Sequence, residues 1–177
     1  MKTIAFIPAR GGSKSIHLKN IKEFCSKPLI YWSLDALDAV KEIDTIYVAT
    51  DSDEIAKTIE RFKLSKVNVY RRDPKNARDN SPTEDVILEF LSHNPCPPDS
   101  CFLLVQATSP LTETEDFTNA IKLYHTKKFD SLLACVRLKQ FYWLYSVFCY
   151  QSSVFCLSTY HLYHLLMLKM NITRLFL

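Results

Sequence analysis

The densest chemistry in the sequence lies just after its first apolar run. Arg10, Gly11, Gly12, Ser13, Lys14, Lys19 and Asn20 put three cations, a hydroxyl and two backbone positions without a Cβ into eleven residues. Glycine lets backbone N–H groups approach an anion closely, and Arg and Lys add a forked and a point charge, so such a loop can wrap a polyphosphate. The Gly-Lys-Ser/Thr order of a Walker A loop is missing, and so is a Gly-x-Gly-x-x-Gly fingerprint. Gly11 and Gly12 are also the only two glycines in the chain, where average usage of roughly 7% would give about a dozen. A solvated basic loop explains the same charges, and the position of the loop in the fold decides between the readings.

The elements that must position this loop alternate along the chain. Thr3 to Pro8 reads as a buried strand, Pro28 to Val40 as a helix with Pro28 in its first turn, and Asp44 to Thr50 as a second strand. Asp51 with Glu54 forms a capping-box pattern for a helix through Ile55, Ile59 and Phe62, and Val67 to Tyr70 is strand-like. Ser81-Pro82-Thr83-Glu84 is a second capping box, ahead of Val86, Ile87, Phe90 and Leu91. Phe102 to Ala107 reads as a strand, Thr112 to Glu115 caps a fourth helix, and Ser131 to Val136 is a fifth strand. This alternation predicts an α/β fold with a mostly parallel sheet, helices on both faces, and ligands at the carboxyl ends of the strands. The first loop sits at such an end.

Composition narrows the classes further. The 177 residues are 47% hydrophobic and 23% charged, the balance of one globular domain, and the net charge is +3, too near neutral to argue for a nucleic-acid partner. The six cysteines show no metal-ligand spacing and no signal-peptide pattern precedes them, so they are expected to be buried thiols in a reducing cytoplasm. The C-terminal end differs from the rest. No Asp or Glu follows Asp130, and residues 144–177 carry only Lys169 and Arg174 as formal charges, with 22 of 34 positions apolar. That stretch has no turn signal and no clean period, and polar interruptions make a membrane span a weak reading. It reads as a foreign or frame-shifted tail behind a domain of residues 1–143, and as one that destabilises the chain or makes it sticky.

Ile7-Pro-Ala-Arg-Gly-Gly-Ser-Lys14 with Lys19-Asn20 resembles the signature of the acylneuraminate cytidylyltransferases, the CMP-sialic acid synthetases. Lys27-Pro28-Leu29-Ile30, Thr50-Asp51-Ser52-Asp53-Glu54-Ile55, Arg71-Arg72, Asp79 to Asp85, Gln106-Ala-Thr-Ser-Pro110, Asp130-Ser131 and the Arg137 to Trp143 stretch continue the likeness in order. It covers about residues 1–143 and stops where the composition shifts.

The resemblance implies a Rossmann-like fold of the nucleotide-diphospho-sugar transferase type, truncated at its C-terminal end. The implied reaction transfers CMP from CTP to the anomeric hydroxyl of a nine-carbon 2-keto sugar acid, with pyrophosphate leaving. Arg10, Lys14 and Lys19 would be catalytic, stabilising charge on the triphosphate. Nucleotide binding would fall to Ala9, Arg10, Gly11, Gly12, Ser13, Lys14, Lys19, Asn20, Arg72, Ser81 and Thr83, and the sugar to Gln106, Thr108 and Ser109. Structural readings compete: Arg72 as a solvated surface charge, Ser81 and Asp51 as helix caps, Thr108-Ser109-Pro110 as a turn. The resemblance further implies Mg2+ and a homodimer, but the family's metal-binding aspartates and dimer-forming section lie beyond the match. The metal ligands are therefore unknown, and the chain is expected to be impaired. A catalytically dead CTP-binding remnant and a membrane- or partner-binding fusion through the tail are the alternatives.

Overall fold

The computed structural model describes residues 1–13, 16–77 and 81–135, and the backbone of residues 165–169. Along the chain lie strand β1 (Thr3–Pro8), a short ribbon of β2 (Glu23–Phe24) and β3 (Lys27–Pro28), helix α1 (Leu29–Asp38) and β4 (Thr45–Thr50). Then follow α2 (Asp53–Glu60), β5 (Val67–Arg71), α3 (Thr83–His93), β6 (Cys101–Val105), α4 (Thr114–Lys127), β7 (Ser131–Leu133) and β8 (Leu165–Lys169). The main sheet has six strands in the order β5-β4-β1-β6-β8-β7. The first four are parallel, and β8 runs antiparallel to both its neighbours.

The apolar run of β1 is continuous because both of its faces are covered. Ala5 and Ile7 join the core under α1, α2 and α4 through Ile30, Leu34, Leu37, Ile55, Ile59, Phe117 and Ile121. Ile4 and Phe6 face the other way, onto Val86, Ile87 and Phe90 of α3. Phe90 is fully buried among rings, with centroids 5.0 Å from Phe6, 4.7 Å from Tyr47 and 5.1 Å from Tyr70. The expected α/β architecture with helices on both faces is therefore present.

Several local expectations shift. Helix α2 is capped by Ser52, whose Oγ accepts from the Ile55 N–H at 3.4 Å, which leaves the Asp51 carboxylate for other partners. Ser81 does not cap α3: it donates to the Lys75 carbonyl at 3.0 Å, and Pro82 holds the cap position without a side-chain bond. The box at α4 uses Glu113 and Asp116, one residue later than read from Thr112. Pro28 stands just before α1 as its N-cap and pairs in β3, a ribbon the sequence reading did not include. Of the four described cysteines only Cys101 is buried, while Cys25 is exposed.

One segment of the tail, residues 165–169, is described. Leu165–Lys169 forms β8, seated between β6 and β7 with Leu103 opposite Met167 and Leu132 opposite Met167 on the other side. An unbroken apolar run lacks a period when it fills an interior strand, so periodicity could not reveal it. The other residues of 144–177, and Val136 to Trp143, lie outside the described residues. A chain ending at Trp143 should lose soluble yield and thermal midpoint, because β6 would be left with an open edge. Thermal unfolding and yield of the two chains check this; a more soluble, equally stable short chain would support the reading of the tail as a foreign, sticky segment.

Candidate active site

The chain reverses its direction of travel across the sheet between β1 and β6. From β1 it proceeds to β4 and β5 on one side, and then crosses to β6 on the other. In open α/β sheets that switch point, at the carboxyl ends of the strands, is where ligands bind. A cleft of about 300 Å³ lies there. Arg10, Ser13, Lys19 and Asn20 line it from the loop after β1, Arg72 and Asn76 from the segment after β5. Ser81, Thr83 and Val86 come from the start of α3, and Gln106 and Thr108 from the end of β6. Among the described residues that line it, Arg10, Lys19 and Arg72 carry positive charge. A wider groove of about 560 Å³ beside Trp32 and Leu111 has Asp35 and Glu113 but no cation, and does not suit an anion.

The sequence candidates divide accordingly. Arg10, Ser13, Lys19, Asn20, Arg72, Ser81, Thr83, Gln106 and Thr108 are brought together in the cleft. Ala9 is fully buried, with its N–H given to the Ala49 carbonyl at 2.8 Å. Ser109 does not line the cleft; its carbonyl accepts from the hydroxyls of Ser33 and Thr112, both at 3.2 Å, which is turn work. Gly11 and Gly12 also lie off the lining, and Lys14 is outside the described residues. Asn76 and Val86 are additions that no sequence signal singled out.

Gly11 has a structural reason of its own. A Cβ there would stand 2.9 Å from the Ser52 Cβ, closer than side-chain atoms tolerate, so the loop can lie against the α2 start only as glycine. Its N–H, expected to support a triphosphate, instead donates to Asp51 Oδ1 at 3.1 Å. Gly12 has open space where its Cβ would be. From the other side the loop is held by Asn20, itself buried, whose Nδ2 donates to the Arg10 carbonyl at 3.1 Å.

Arg72 is no surface charge: its side chain is 5% exposed. Its guanidinium pairs with Asp51 Oδ1 at 3.1 Å, and its Nε is buried without a hydrogen-bond partner. Arg72 thus enters the cleft wall as a buried cation held by one carboxylate. By contrast the neighbouring Arg71–Asp53 pair, 2.7 Å long, is exposed and contributes little.

A carboxylate on α3 shapes the Arg72 side of the cleft. Glu89 Oε1 accepts from the Tyr70 hydroxyl and the Asp73 N–H, both at 2.9 Å, and Oε2 accepts from Asn76 Nδ2. Burial opposes its charge, but the hydrogen bonds from Asn76, Asp73 and Tyr70 outweigh it and hold the carboxyl below its ordinary value. Burial, with the bond to Glu89 and that group's charge, pushes the Tyr70 phenol up to about 12. A lowered folded value means that the stabilisation is complete above the ordinary carboxyl value of 4.5 and is lost as pH falls through the lowered one. Glu89→Gln should therefore unfold at a lower temperature than the parent at pH 7, with the gap closing in acid. A gap that stays constant down to pH 3 would show that the charge is not what holds this turn.

Comparison with known proteins agrees with the geometry. The model of the family described as Cytidylyltransferase matches residues 4–157. The N-acylneuraminate cytidylyltransferase of Oncorhynchus mykiss is 39% identical over 139 residues, which are 78% of this chain and 31% of that protein. The enzyme of the same name from Streptococcus agalactiae is 31% identical over 137 residues, 76% of this chain and 32% of its own length. The chain thus spans about a third of the length of the curated relatives it matches. Among solved structures, a CMP:2-keto-3-deoxy-manno-octonic acid synthetase complexed with CTP superposes with a TM-score of 0.63 at 20% identity, covering 76% of this chain and 52% of that one, and so shares the fold. With a match that takes in most of its length and a cationic cleft at the switch point of its sheet, this chain belongs to the cytidylyltransferase family.

Proposed function

We propose that the chain carries the nucleotide site of an acylneuraminate cytidylyltransferase, which activates a nine-carbon 2-keto sugar acid with CTP. The observation that carries this reading is the cleft itself: Arg10, Lys19 and Arg72 brought together with Ser13, Thr83 and Gln106 at the switch point of the sheet. The sugar's anomeric oxygen attacks the α-phosphorus, the bond to the bridging oxygen breaks, and pyrophosphate leaves. Arg10, Lys19 and, from the sequence, Lys14 meet the charge that grows on the triphosphate, and Ser13 adds a hydroxyl. Arg72 and the start of α3 at Thr83 face the nucleoside half, while Gln106 and Thr108 stand at the strand end that would receive the sugar. An exposed thiol at Cys25 fits a reducing cytoplasm.

Among the described residues no group of three or more His, Cys, Asp or Glu could hold a metal ion, and Asp51 is already engaged by Arg72 and Gly11. A divalent ion would enter on the phosphates of the nucleotide. In a second reading the chain binds CTP without turning it over, because the barrier falls only when nucleotide and acceptor are held together.

Pyrophosphate release with MgCTP and N-acetylneuraminate, measured for the parent and for Arg10→Ala, separates the two. The full function predicts release that falls by about 10² or more in Arg10→Ala. No release from a parent chain that retains CTP in equilibrium dialysis establishes the binding-only reading, and no retention of CTP contradicts both.

A further inference from the structure

We propose that Asp51 is the positioning residue of this cleft, a single carboxylate that locks the first loop and Arg72 into one arrangement before nucleotide enters. The inference rests on the nucleotide reading above and adds to it a residue that does not line the cleft. One oxygen, Asp51 Oδ1, accepts from the Gly11 N–H and from the Arg72 guanidinium, both at 3.1 Å. The donors belong to two different walls, the loop after β1 and the segment after β5.

The surroundings are built around this contact. The Ala9 N–H donates to the Ala49 carbonyl and the Arg72 N–H to the Thr50 carbonyl, so the segment from Ala49 to Asp51 is stapled on both sides. Thr50 Oγ1 accepts from the Ser52 N–H at 3.1 Å and sets the turn that carries Asp51. Because Ser52 takes the capping role on α2, Asp51 is not needed there. Gly11 completes the arrangement, since any Cβ would meet Ser52 at 2.9 Å and lift the loop from the carboxylate. Arg72, buried to all but 5% of its side chain, has one amine end held by the Asp51 acceptor oxygen, which leaves its guanidinium at a fixed place. Asp51 thus acts through Gly11 and Arg72 and touches no substrate.

The test uses the full chain and two substitutions. Asp51→Asn keeps a carbonyl oxygen that can accept from both donors, whereas Asp51→Ala keeps none. CTP affinity is read by calorimetry, exchange of the Gly11 amide by NMR, and folding by thermal midpoint. The proposal predicts that Asp51→Ala loses about tenfold or more in CTP affinity and loses Gly11 protection, while Asp51→Asn retains the protection and stays within about threefold of the parent. A parent that binds CTP alongside an Asp51→Ala variant that binds it equally well overturns the positioning role alone. A folded parent that binds no CTP overturns the nucleotide reading, and this proposal with it. If Asp51→Ala does not fold, Asp51→Asn decides: loss of CTP affinity with midpoint and Gly11 protection intact overturns the proposal, because the carboxylate would then be acting on the ligand itself.

Discussion

Parallel pairing of β1 with β4 on one side and β6 on the other is the constraint on which the rest of this structure depends. Ile4 stands opposite Thr45 and Pro8 opposite Ala49, while Thr3 faces Cys101 and Phe6 faces Leu104. That register ends the strands together, so that the loops after β1, β4, β5 and β6 open on one edge. It also sorts the core: a slip of one residue would send Ile4 and Phe6 under α1 and turn Ala5 and Ile7 towards Phe90. The packing that makes the sheet stable is therefore the same packing that brings Arg10, Arg72 and Gln106 around one cleft.

Within that frame the site is a problem of charge. Arg10, Lys19 and Arg72 share one cleft and repel one another, and the buried Arg72 bears the heaviest desolvation cost. Asp51 offsets this from behind, and Glu89 does similar work for the turn that carries Asn76. Neither carboxylate lines the cleft. A site arranged in this way favours a polyanion, and its two acidic supports serve geometry rather than contact with the ligand.

Much of this was legible in the sequence, for identifiable reasons. The strand from Thr3 to Pro8 and the alternation after it read clearly because interior parallel strands are short apolar runs and the helices carry a 3.6 period. The first loop stood out because the chain has so few glycines, although Gly11 proves to be needed for its approach to Ser52. The ribbon of β2 and β3 was hidden because its turn places Cys25 and Ser26 at φ 51° and 67°, where Asn or Gly is the usual signal. Cap positions slipped because Asp51-Ser52 and Thr112-Glu113 each offer two adjacent candidates, and only tertiary contacts choose between them. Asn76 was invisible because its place comes from Glu89 on another element. β8 was invisible because its partners are distant and its pattern has no period.

The central claim is that several strand ends, far apart in sequence, form one nucleotide site. Amide hydrogen exchange of the full chain with and without saturating CTP tests it most directly. The account predicts simultaneous slowing in residues 9–13, 71–76, 83–87 and 105–108, with the wider groove around Trp32 and Leu111 unchanged. Slowing confined to the first loop, or centred on Trp32 and Leu111, would contradict it.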